Sequence, residues 1–452
     1  MSSRPQSALI REGRASAILA LPLIAGQLGQ MLVGLSDTLM IGRLGVVPLA
    51  AATFANTVLY LPLMFGIGMT TAVSIRVSQA RGAGDQQAAR EALRNGLQIG
   101  LVVGLLTVVL AAAAIPFLGY FGQEPAVTHA AGDYFLIVAV SMIPAIGSMA
   151  VKNHADAMNH PWPPFWIMLG GVLLNIGLNW VLIWGHLGAP AWGLEGAGVA
   201  TLIARVATLA GLIAWCRRSP DLRDWVPHHW FRRPCLTAVR SLVRVGLPAS
   251  LQLLAEVSAF VMATILIGTM GKEALAAHQV AISCAATIFM VPLGLSMALT
   301  VRMGEAWGAG ERERLRAIVG SGWLMAAGFT LFSAGTVLAL HHTIAGWFLS
   351  ESEARAMAAA LLIVSAAFQF SDALQIVSAG ALRGLDDVTV PAWIAVFAYW
   401  VVSLPIGWWF AFRLEWGVTG MWWGITIGLT ITAVALGRRL WRKTALVPLA
   451  AT

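Results

Sequence analysis

The sequence is poor in charged residues and in cysteine. Only 11% of its 452 residues are Asp, Glu, Lys or Arg, whereas 58% are hydrophobic. An average soluble domain has about 25% charged residues, so this composition excludes a soluble globular protein. The three cysteines, Cys216, Cys235 and Cys284, show no CxxC spacing. They therefore indicate neither a disulfide framework nor a metal site, and we interpret them as packing residues.

Long apolar segments dominate the chain instead. Blocks of about 20 apolar residues, the length of a helix that crosses a bilayer, recur twelve times. Their approximate limits are 15–40, 47–73, 92–117, 131–152, 164–185, 196–216, 244–268, 276–300, 320–340, 356–380, 391–412 and 418–437. Because the blocks are continuous rather than alternating, they predict helices and not barrel strands. The predicted fold class is all-α integral membrane, with twelve transmembrane helices. We expect the first block to be retained rather than cleaved as a signal sequence, because no small-residue cleavage site follows it.

The basic residues are distributed unevenly between the two sides of the predicted membrane. Twenty-four of the 29 Lys and Arg residues fall in the N-terminus and the even-numbered loops, against four on the other side: Arg43, Lys272, Arg355 and Arg413. The positive-inside rule therefore predicts cytoplasmic termini in a multi-pass protein of a bacterial-type inner (plasma) membrane. The net charge of +8 reflects this topology, and we expect no nucleic-acid partner.

The two halves of the chain are copies of each other. A shift of 226 residues aligns Pro22 with Pro248, Gly42 with Gly268, and many other pairs without a gap. Because each half has six spans, we predict two six-helix lobes related by a pseudo-two-fold axis along the membrane normal. The predicted limits are 1–216 for the N-lobe, 217–240 for a cytoplasmic linker and 241–452 for the C-lobe. Such lobes can rock against each other to give alternating access.

Three carboxylates, Asp37, Glu256 and Asp372, lie inside predicted spans. A charged side chain at the middle of a membrane helix costs about 3 kcal/mol on insertion scales. The alternative to a functional role is a set of buried ion pairs or packing contacts, but Arg205 is the one basic residue that we place in the predicted spans. We therefore interpret the three acids as ion-coupling residues.

Glutamines accompany these carboxylates at helical spacing. The pairs that share a helix face are Gln30 with Asp37, Gln252 with Glu256, and Gln369 with Asp372. In the repeat, Glu256 aligns with Gln30, and Asp37 aligns with Ala263. The lobes thus carry their acids at different depths, and the sequence predicts two unequal cation sites.

Further polar residues lie on the fifth and sixth spans. Asn175 and Asn179 are four residues apart, so their amides project from one face and can offer oxygens to a cation beside Asp37. The alternative is that they bond helices to each other. Thr201 is a weaker candidate, because Thr often bonds back to its own helix. For Arg205 we favour a structural role, through a carboxylate or helix carbonyls.

Pro22 and Pro248 occupy matching places in the first and seventh spans. A proline removes a backbone donor and permits a kink, so both are hinge candidates. Static proline kinks are also frequent in membrane helices, and the sequence leaves the two alternatives open.

Several long motifs resemble the multidrug and toxic-compound extrusion (MATE) family, in its NorM-type branch. They include SDTLMIGRLG with Asp37, GLPASLQLLAEVSAF with Pro248 and Glu256, and FQFSDALQIVSAGALRG with Asp372, together with AAHQVA and VPLGLSMALTVRMGEAWGAG. They occur in the expected order, and the similarity spans nearly the whole chain.

The resemblance implies an exporter that exchanges inward Na⁺ or H⁺ for an outward cationic or amphipathic drug, and not an enzyme. It implies an N-lobe site at Asp37 and a C-lobe site at Glu256 and Asp372, with no cofactor beyond the coupling ion. Some relatives use a tyrosine near the C-lobe site. Here we expect Phe289 and Phe368 instead, and so no hydroxyl ligand.

Three alternatives remain for the function. A flippase for lipid-linked sugars from the same superfamily would need a basic cavity for its anionic substrate, whereas the predicted spans are acidic. A non-transporting scaffold or a channel would not need two lobes with unequal buried acids. We expect a monomer in membrane lipid that acts on small organic substrates.

Overall fold

The computed structural model describes residues 5–122 and 124–445. Within those residues, twelve helices are long and apolar enough to cross a membrane. They are α1 Pro5–Gly42, α2 Val46–Ala83, α3 Gln86–Ala114, α4 Pro125–Ala157, α5 Trp162–Trp184, α6 Gly193–Arg218, α7 Leu236–Gly268, α8 Lys272–Gly308, α9 Arg312–Phe348, α10 Ser352–Gly384, α11 Thr389–Arg413 and α12 Gly417–Ala445. The prediction of an all-α fold with twelve transmembrane helices is confirmed.

The internal repeat reappears in the helix boundaries. Helix α2 begins at Val46 and α8 begins at Lys272, which is 226 positions later. The residues before them, Gly45 and Gly271, have φ angles of 118° and 124°. Glycine adopts this region readily because it lacks a Cβ atom. The two copies therefore use the same glycine turn between their first and second helices.

The helices form two compact units whose limits fall inside helices. One unit is Ala25–Ser250, and the other contains the described residues up to Ile24 together with those from Leu251 on. The two boundaries, after Ile24 and after Ser250, are again 226 positions apart. By helix order, the first part of α1 would belong with α2 to α6, and the first part of α7 with α8 to α12. Each of these two parts instead lies in the other unit. The lobe limits 1–216 and 241–452 stay a prediction from helix order.

Small residues allow the exchanged parts to pack closely within each unit. In one unit, a Cβ atom on Gly68 of α2 would lie 2.7 Å from the backbone nitrogen of Ser250 in α7. In the other, a Cβ atom on Gly294 of α8 would lie 2.8 Å from the backbone nitrogen of Ile24 in α1. Gly68 and Gly294 are repeat partners, so one packing solution serves both exchanges.

The connection between α6 and α7 packs along α3 within the Ala25–Ser250 unit. Arg90 Nε donates to the carbonyl of Asp224 at 2.7 Å, and Gln98 Nε2 donates to the carbonyl of Arg232 at 2.9 Å. The backbone N–H of Cys235 donates to Asn95 Oδ1 at 3.0 Å. Side chains of α3 thus hold much of the predicted linker 217–240.

Helix α11 is irregular. It contains two π-helical segments, Phe397–Ser403 and Trp409–Arg413, on either side of a short α-helical turn. Gly407 of this helix faces Gly424 of α12, and a Cβ atom on Gly424 would meet the backbone of Gly407. The same Cβ atom would lie 2.8 Å from the carbonyl oxygen of Ser403. π-Helical turns are rare in proteins, and those that occur often lie at functional sites. The first of them carries a residue of the candidate site described below.

Candidate functional site

Asp37 heads a chain of side-chain hydrogen bonds across α1, α5 and α6. Asn179 Nδ2 donates to Asp37 Oδ1 at 2.7 Å and to Asn175 Oδ1 at 3.2 Å. Asn175 Nδ2 in turn donates to Thr201 Oγ1 at 3.2 Å, and that hydroxyl donates to the carbonyl of Ala197. The structure therefore brings together four of the residues singled out in the sequence.

Arg205 lies near this chain but is bonded elsewhere. Its Nη1 donates to Ser141 Oγ at 2.7 Å and contacts Met142 Sδ at 3.7 Å. Arg205 and Asp37 attract each other electrostatically, but no ion pair within 4.0 Å joins them. The guanidinium is thus held on α4, and the carboxylate of Asp37 keeps an amide as its direct partner.

One oxygen of this network has no partner among the described residues. Asn179 is fully buried, and its Oδ1 accepts no hydrogen bond. A buried polar atom without a partner is costly and calls for an explanation. A neutral amide oxygen beside a carboxylate is the kind of ligand that a hard cation takes in proteins. The donor set therefore fits Na⁺ as well as a proton on Asp37.

Glu256 and Asp372 form the second acidic group, in the unit that contains α7 and α10. Asp372 is buried with 7% of its surface exposed, Glu256 is half-buried, and their charges repel each other. Neither carboxylate forms an ion pair within the described part of the chain. Two like charges in a desolvated site favour the uptake of a proton or a metal cation.

Tyr399 of α11 completes this acidic group. The expectation that the group has no hydroxyl is therefore wrong. The Tyr399 hydroxyl lies beside Glu256 and Gln375, although neither contact has the geometry of a hydrogen bond. Tyr399 is 1% exposed and lies in the π-helical segment Phe397–Ser403. The sequence does not single out Tyr399, because a tyrosine in an apolar block resembles an interface anchor.

Buried glutamines lie on α7 and α10, the helices that carry the second acidic group. Gln252 on α7 and Gln369 on α10 are buried, and the Nε2 atom of each has no partner among the described residues. Gln369 Oε1 accepts from Ser333 Oγ at 2.9 Å. Gln375, three residues after Asp372, is fully buried with both amide atoms unpartnered. The periodicity of α10 could have identified it, since it shares a face with Asp372.

The predicted aromatic residues separate into two cases. Phe368 is buried and contacts Phe260 and Trp422, with ring centroids 6.2 and 5.5 Å apart. Phe260 also lies 6.3 Å from the ring of Tyr399, so Phe368 belongs to the wall behind the acidic group. Phe289 is half-buried on α8 and has no ring contact within the described residues. No ring contact among the described residues joins it to the wall formed by Phe368 and Phe260.

The other predicted residues lie on α1 and α7. Gln30 is exposed and makes no hydrogen bond to the described residues. Pro22 and Pro248 lie inside continuous helices, two residues before the boundaries after Ile24 and Ser250. Their role as hinges stays a prediction.

A family model matches the chain twice, and the two matches follow the internal repeat. The model is described as MatE, and it covers residues 22–181 and 248–409. The chain belongs to the MatE family. It is therefore a membrane transporter and not an enzyme, as the motifs around Asp37, Glu256 and Asp372 indicated.

Relatives of this MatE chain are similar over nearly their whole length. It is 36% identical over 434 residues to the probable multidrug resistance protein NorM of Rhizobium meliloti (strain 1021), with coverage of 95% of this chain and 93% of that protein. Among solved structures it is similar to a mutant form of the Vibrio cholerae MATE transporter VcmN, with a TM-score of 0.89, 22% identity, and coverage of 98% and 99% of the two chains.

The same fold also occurs in a MOP superfamily transporter from Pyrococcus furiosus, with a TM-score of 0.87, 20% identity, and coverage of 98% and 99% of the two chains. That protein is described as having a binding pocket of reversed polarity that suggests a different function. The fold alone therefore does not set the function, and side chains must decide it.

Proposed function

We propose that this chain exports cationic or amphipathic organic compounds in exchange for Na⁺ or H⁺ that moves inward. The observation that carries the proposal is that Asp37, Glu256 and Asp372 lie within spanning helices without an ion-pair partner in the described residues. Uncompensated acids inside a membrane protein mark ion or substrate pathways. The name of the Rhizobium meliloti relative supports drugs as cargo.

The simplest mechanism is competition between drug and coupling ion for the same carboxylates. At Asp37, a proton would neutralise the carboxylate directly, whereas Na⁺ would use the ionised carboxylate with the free oxygen of Asn179. A cationic drug then gains affinity when the ion leaves, and it loses affinity when the ion returns. This linkage is reciprocal, so each ligand drives the release of the other.

Glu256 and Asp372 form a second coupling site in this proposal. Their mutual repulsion is relieved when one cation or proton binds, and Tyr399 offers an additional oxygen. The two sites differ in their partners, since an amide bonds to Asp37 and a second carboxylate lies near Glu256. We therefore expect them to differ in ion selectivity.

Movement of the two compact units would expose the sites alternately. Each boundary between the units falls two residues after a proline, at Pro22 and at Pro248. A proline lacks the donor for one helical hydrogen bond, which weakens the helix there. We further propose that the protein works as a monomer with both termini in the cytoplasm, as the distribution of basic residues predicts.

A flippase for anionic lipid-linked sugars is the other candidate for this fold. It requires a cationic site that can bind its anionic substrate. Here Asp37, Glu256 and Asp372 have no ion-pair partner among the described residues, the guanidinium of Arg205 is held by Ser141, and Arg383 is attracted to Glu256. Cationic cargo therefore fits this chain better than anionic cargo.

Transport in proteoliposomes tests the proposal. The purified protein should accumulate a fluorescent cationic dye under an imposed Na⁺ or H⁺ gradient. Asp37→Asn, Glu256→Gln and Asp372→Asn should each slow this gradient-driven uptake at least about tenfold, because an amide can neither exchange the proton nor carry the charge. Asp133→Asn is the matched control, since Asp133 is an exposed carboxylate outside both acidic groups.

Two results would count against the proposal. If all three variants transport at the wild-type rate, the carboxylates do not couple transport. If an anionic lipid-linked sugar is moved and the dye is not, the flippase is correct.

A further inference from the structure

An apolar groove lies on the surface of α11 and α12, within one compact unit. Its volume is about 400 Å³. The residues that line it are Val390, Trp393, Ile394, Phe397, Ala398, Ile431 and Ala435. All of them are apolar, and Trp393 and Phe397 are 68% and 56% exposed. The groove is therefore open on the outside of the helix pair rather than enclosed in its core.

The wall of the groove on α12 continues into a basic end. Ile431, Ala435, Arg438 and Arg442 follow each other at spacings of four, three and four residues, so they lie along one helix face. Arg438 and Arg442 are exposed, and no carboxylate of the described residues pairs with either. The guanidinium groups of Arg438 and Arg442 therefore lie on the same face of α12 as the groove, starting one turn beyond it.

The neighbouring cations at this end, Arg439 and Lys443, already share an anionic partner. Asp387, just before α11, accepts hydrogen bonds from Arg439 at 2.6 and 3.1 Å and pairs with Lys443 at 3.0 Å. This carboxylate is buried, with 6% of its surface exposed. It therefore fixes the start of α11 against α12 and leaves the charges of Arg438 and Arg442 for another anion.

An aromatic residue lies at the same level as the free arginines. Trp441 is 52% exposed and stacks on Trp323 of α9, with ring centroids 6.2 Å apart. The guanidinium of Arg316 lies 5.5 Å from the centre of the Trp441 ring. Exposed tryptophans with arginines are typical of the head-group level of a bilayer. This level is where the phosphate of a lipid lies.

We propose that this groove binds one acyl chain of an anionic phospholipid, whose phosphate is held by Arg438 and Arg442. The apolar lining matches the chain, and the unpaired guanidinium groups match the phosphate, which arginine binds through two parallel hydrogen bonds. A cationic drug would meet repulsion at the basic end. A zwitterionic lipid would gain less, because its ammonium group cancels the charge of its phosphate.

Native mass spectrometry of the full chain in detergent tests this site. The probes are palmitoyl-oleoyl phosphatidylglycerol and the phosphatidylethanolamine with the same chains. We expect the wild type to bind the anionic lipid more tightly, and Arg438→Gln with Arg442→Gln to weaken that binding by about fivefold for each arginine. Ala435→Trp, which fills the groove and keeps both charges, should also weaken it.

The matched control removes the same charge elsewhere. Arg217→Gln with Arg218→Gln changes two exposed arginines in the last turn of α6, the equivalent helix of the first half. This pair should leave binding of the anionic lipid unchanged. Thermal unfolding in lipid-free detergent should show that every variant folds, since none of the four arginines pairs with a described carboxylate.

Three outcomes would overturn the proposal. The two lipids bind equally well, which shows that charge plays no part. The control pair weakens binding as much as the pair beside the groove, which shows a general electrostatic effect. Ala435→Trp leaves binding unchanged, which shows that the groove holds no acyl chain.

Discussion

At the scale of single residues, the three intramembrane acids differ in what faces them. Asp37 receives a hydrogen bond from Asn179, which is a neutral donor. Asp372 instead faces the like charge of Glu256. An amide leaves the Asp37 charge in place, whereas a second carboxylate raises the cost of ionising both. The two acidic groups therefore offer a coupling ion different electrostatic environments.

The hydroxyl of Tyr399 gives a test of the second acidic group. Tyr399→Phe removes one oxygen and keeps the ring that packs near Phe260. We expect the apparent affinity for the coupling ion to fall by roughly threefold to tenfold, since one neutral hydrogen-bonding group contributes about 0.5–1.5 kcal/mol. The maximal rate should change less. Dye uptake at a series of Na⁺ and H⁺ concentrations measures both quantities.

Tyr120→Phe provides the control for Tyr399→Phe. Tyr120 is 86% exposed in the turn after α3, and its ring contacts that of Phe117, outside both acidic groups. An equal loss of ion affinity in both variants would mean that the Tyr399 hydroxyl does not serve the coupling ion.

The sequence identified most of the polar residues of both acidic groups, for a simple reason. A carboxylate or an amide inside an apolar block is costly, so Asp37, Asn175 and Asn179 stand out against their neighbours. Tyr399 and Gln375 did not stand out. Tyrosine is common in membrane helices, and the side-chain direction of Tyr399 depends on a π-helical segment that no simple periodicity predicts.

At the scale of helices, glycine contacts fix the irregular helix α11 against α12. A Cβ atom on Gly428 would lie 2.9 Å from the carbonyl oxygen of Ala398, and one on Gly424 would lie 2.8 Å from that of Ser403. Both carbonyls belong to the π-helical segment that carries Tyr399. Close backbone approach at these glycines therefore holds the segment in place.

Gly424→Ala should destabilise the protein for this reason. The added methyl group meets backbone atoms of Gly407 and Ser403, which cannot move aside as a flexible side chain would. We expect a loss of about 1–3 kcal/mol in the free energy of unfolding. Thermal unfolding of the purified protein in detergent should show a lower Tm.

Gly335→Ala is the matched control for Gly424→Ala. Gly335 lies inside α9, and a Cβ atom there would meet nothing within 4 Å. Since alanine is the better helix former, this variant should keep or raise the Tm. A Tm of Gly424→Ala equal to that of Gly335→Ala would contradict the close packing of α11 and α12.

The helices themselves were predictable, but the division of α1 and α7 was not. Each span is an apolar block of the right length, and the helix starts at Val46 and Lys272 follow the shift of 226 residues seen in the sequence. The exchange after Ile24 and Ser250 depends on which helices touch. Which helices touch is a tertiary property. The close packing at Gly68 and Gly294 leaves no periodicity in the sequence from which the exchange could be predicted.

At the scale of the whole molecule, the exchanged part of α1 is tied firmly to its unit. Glu12 is buried, with 2% of its surface exposed, and it forms ion pairs with Arg302 of α8 and with Arg314 of α9. Removing one partner of a buried ion pair leaves an uncompensated charge, which is strongly unfavourable. Transport should therefore move this part of α1 together with α8 and α9.

A disulfide inside this unit tests that consequence. A Cβ atom on Gly13 of α1 would lie 3.4 Å from the Cβ of Ser321 in α9, close to the separation of about 3.8 Å found in disulfides. Gly13→Cys with Ser321→Cys, after the native cysteines are replaced by alanine, should form a bond under oxidation. Because both residues belong to one unit, the oxidised protein should transport dye as fast as the reduced protein.

Gly13→Cys alone controls for oxidation itself. If oxidation stops transport in the double variant and a reductant restores it, the first part of α1 must move against α9. In that case the boundary after Ile24 is not where the transport cycle divides the molecule.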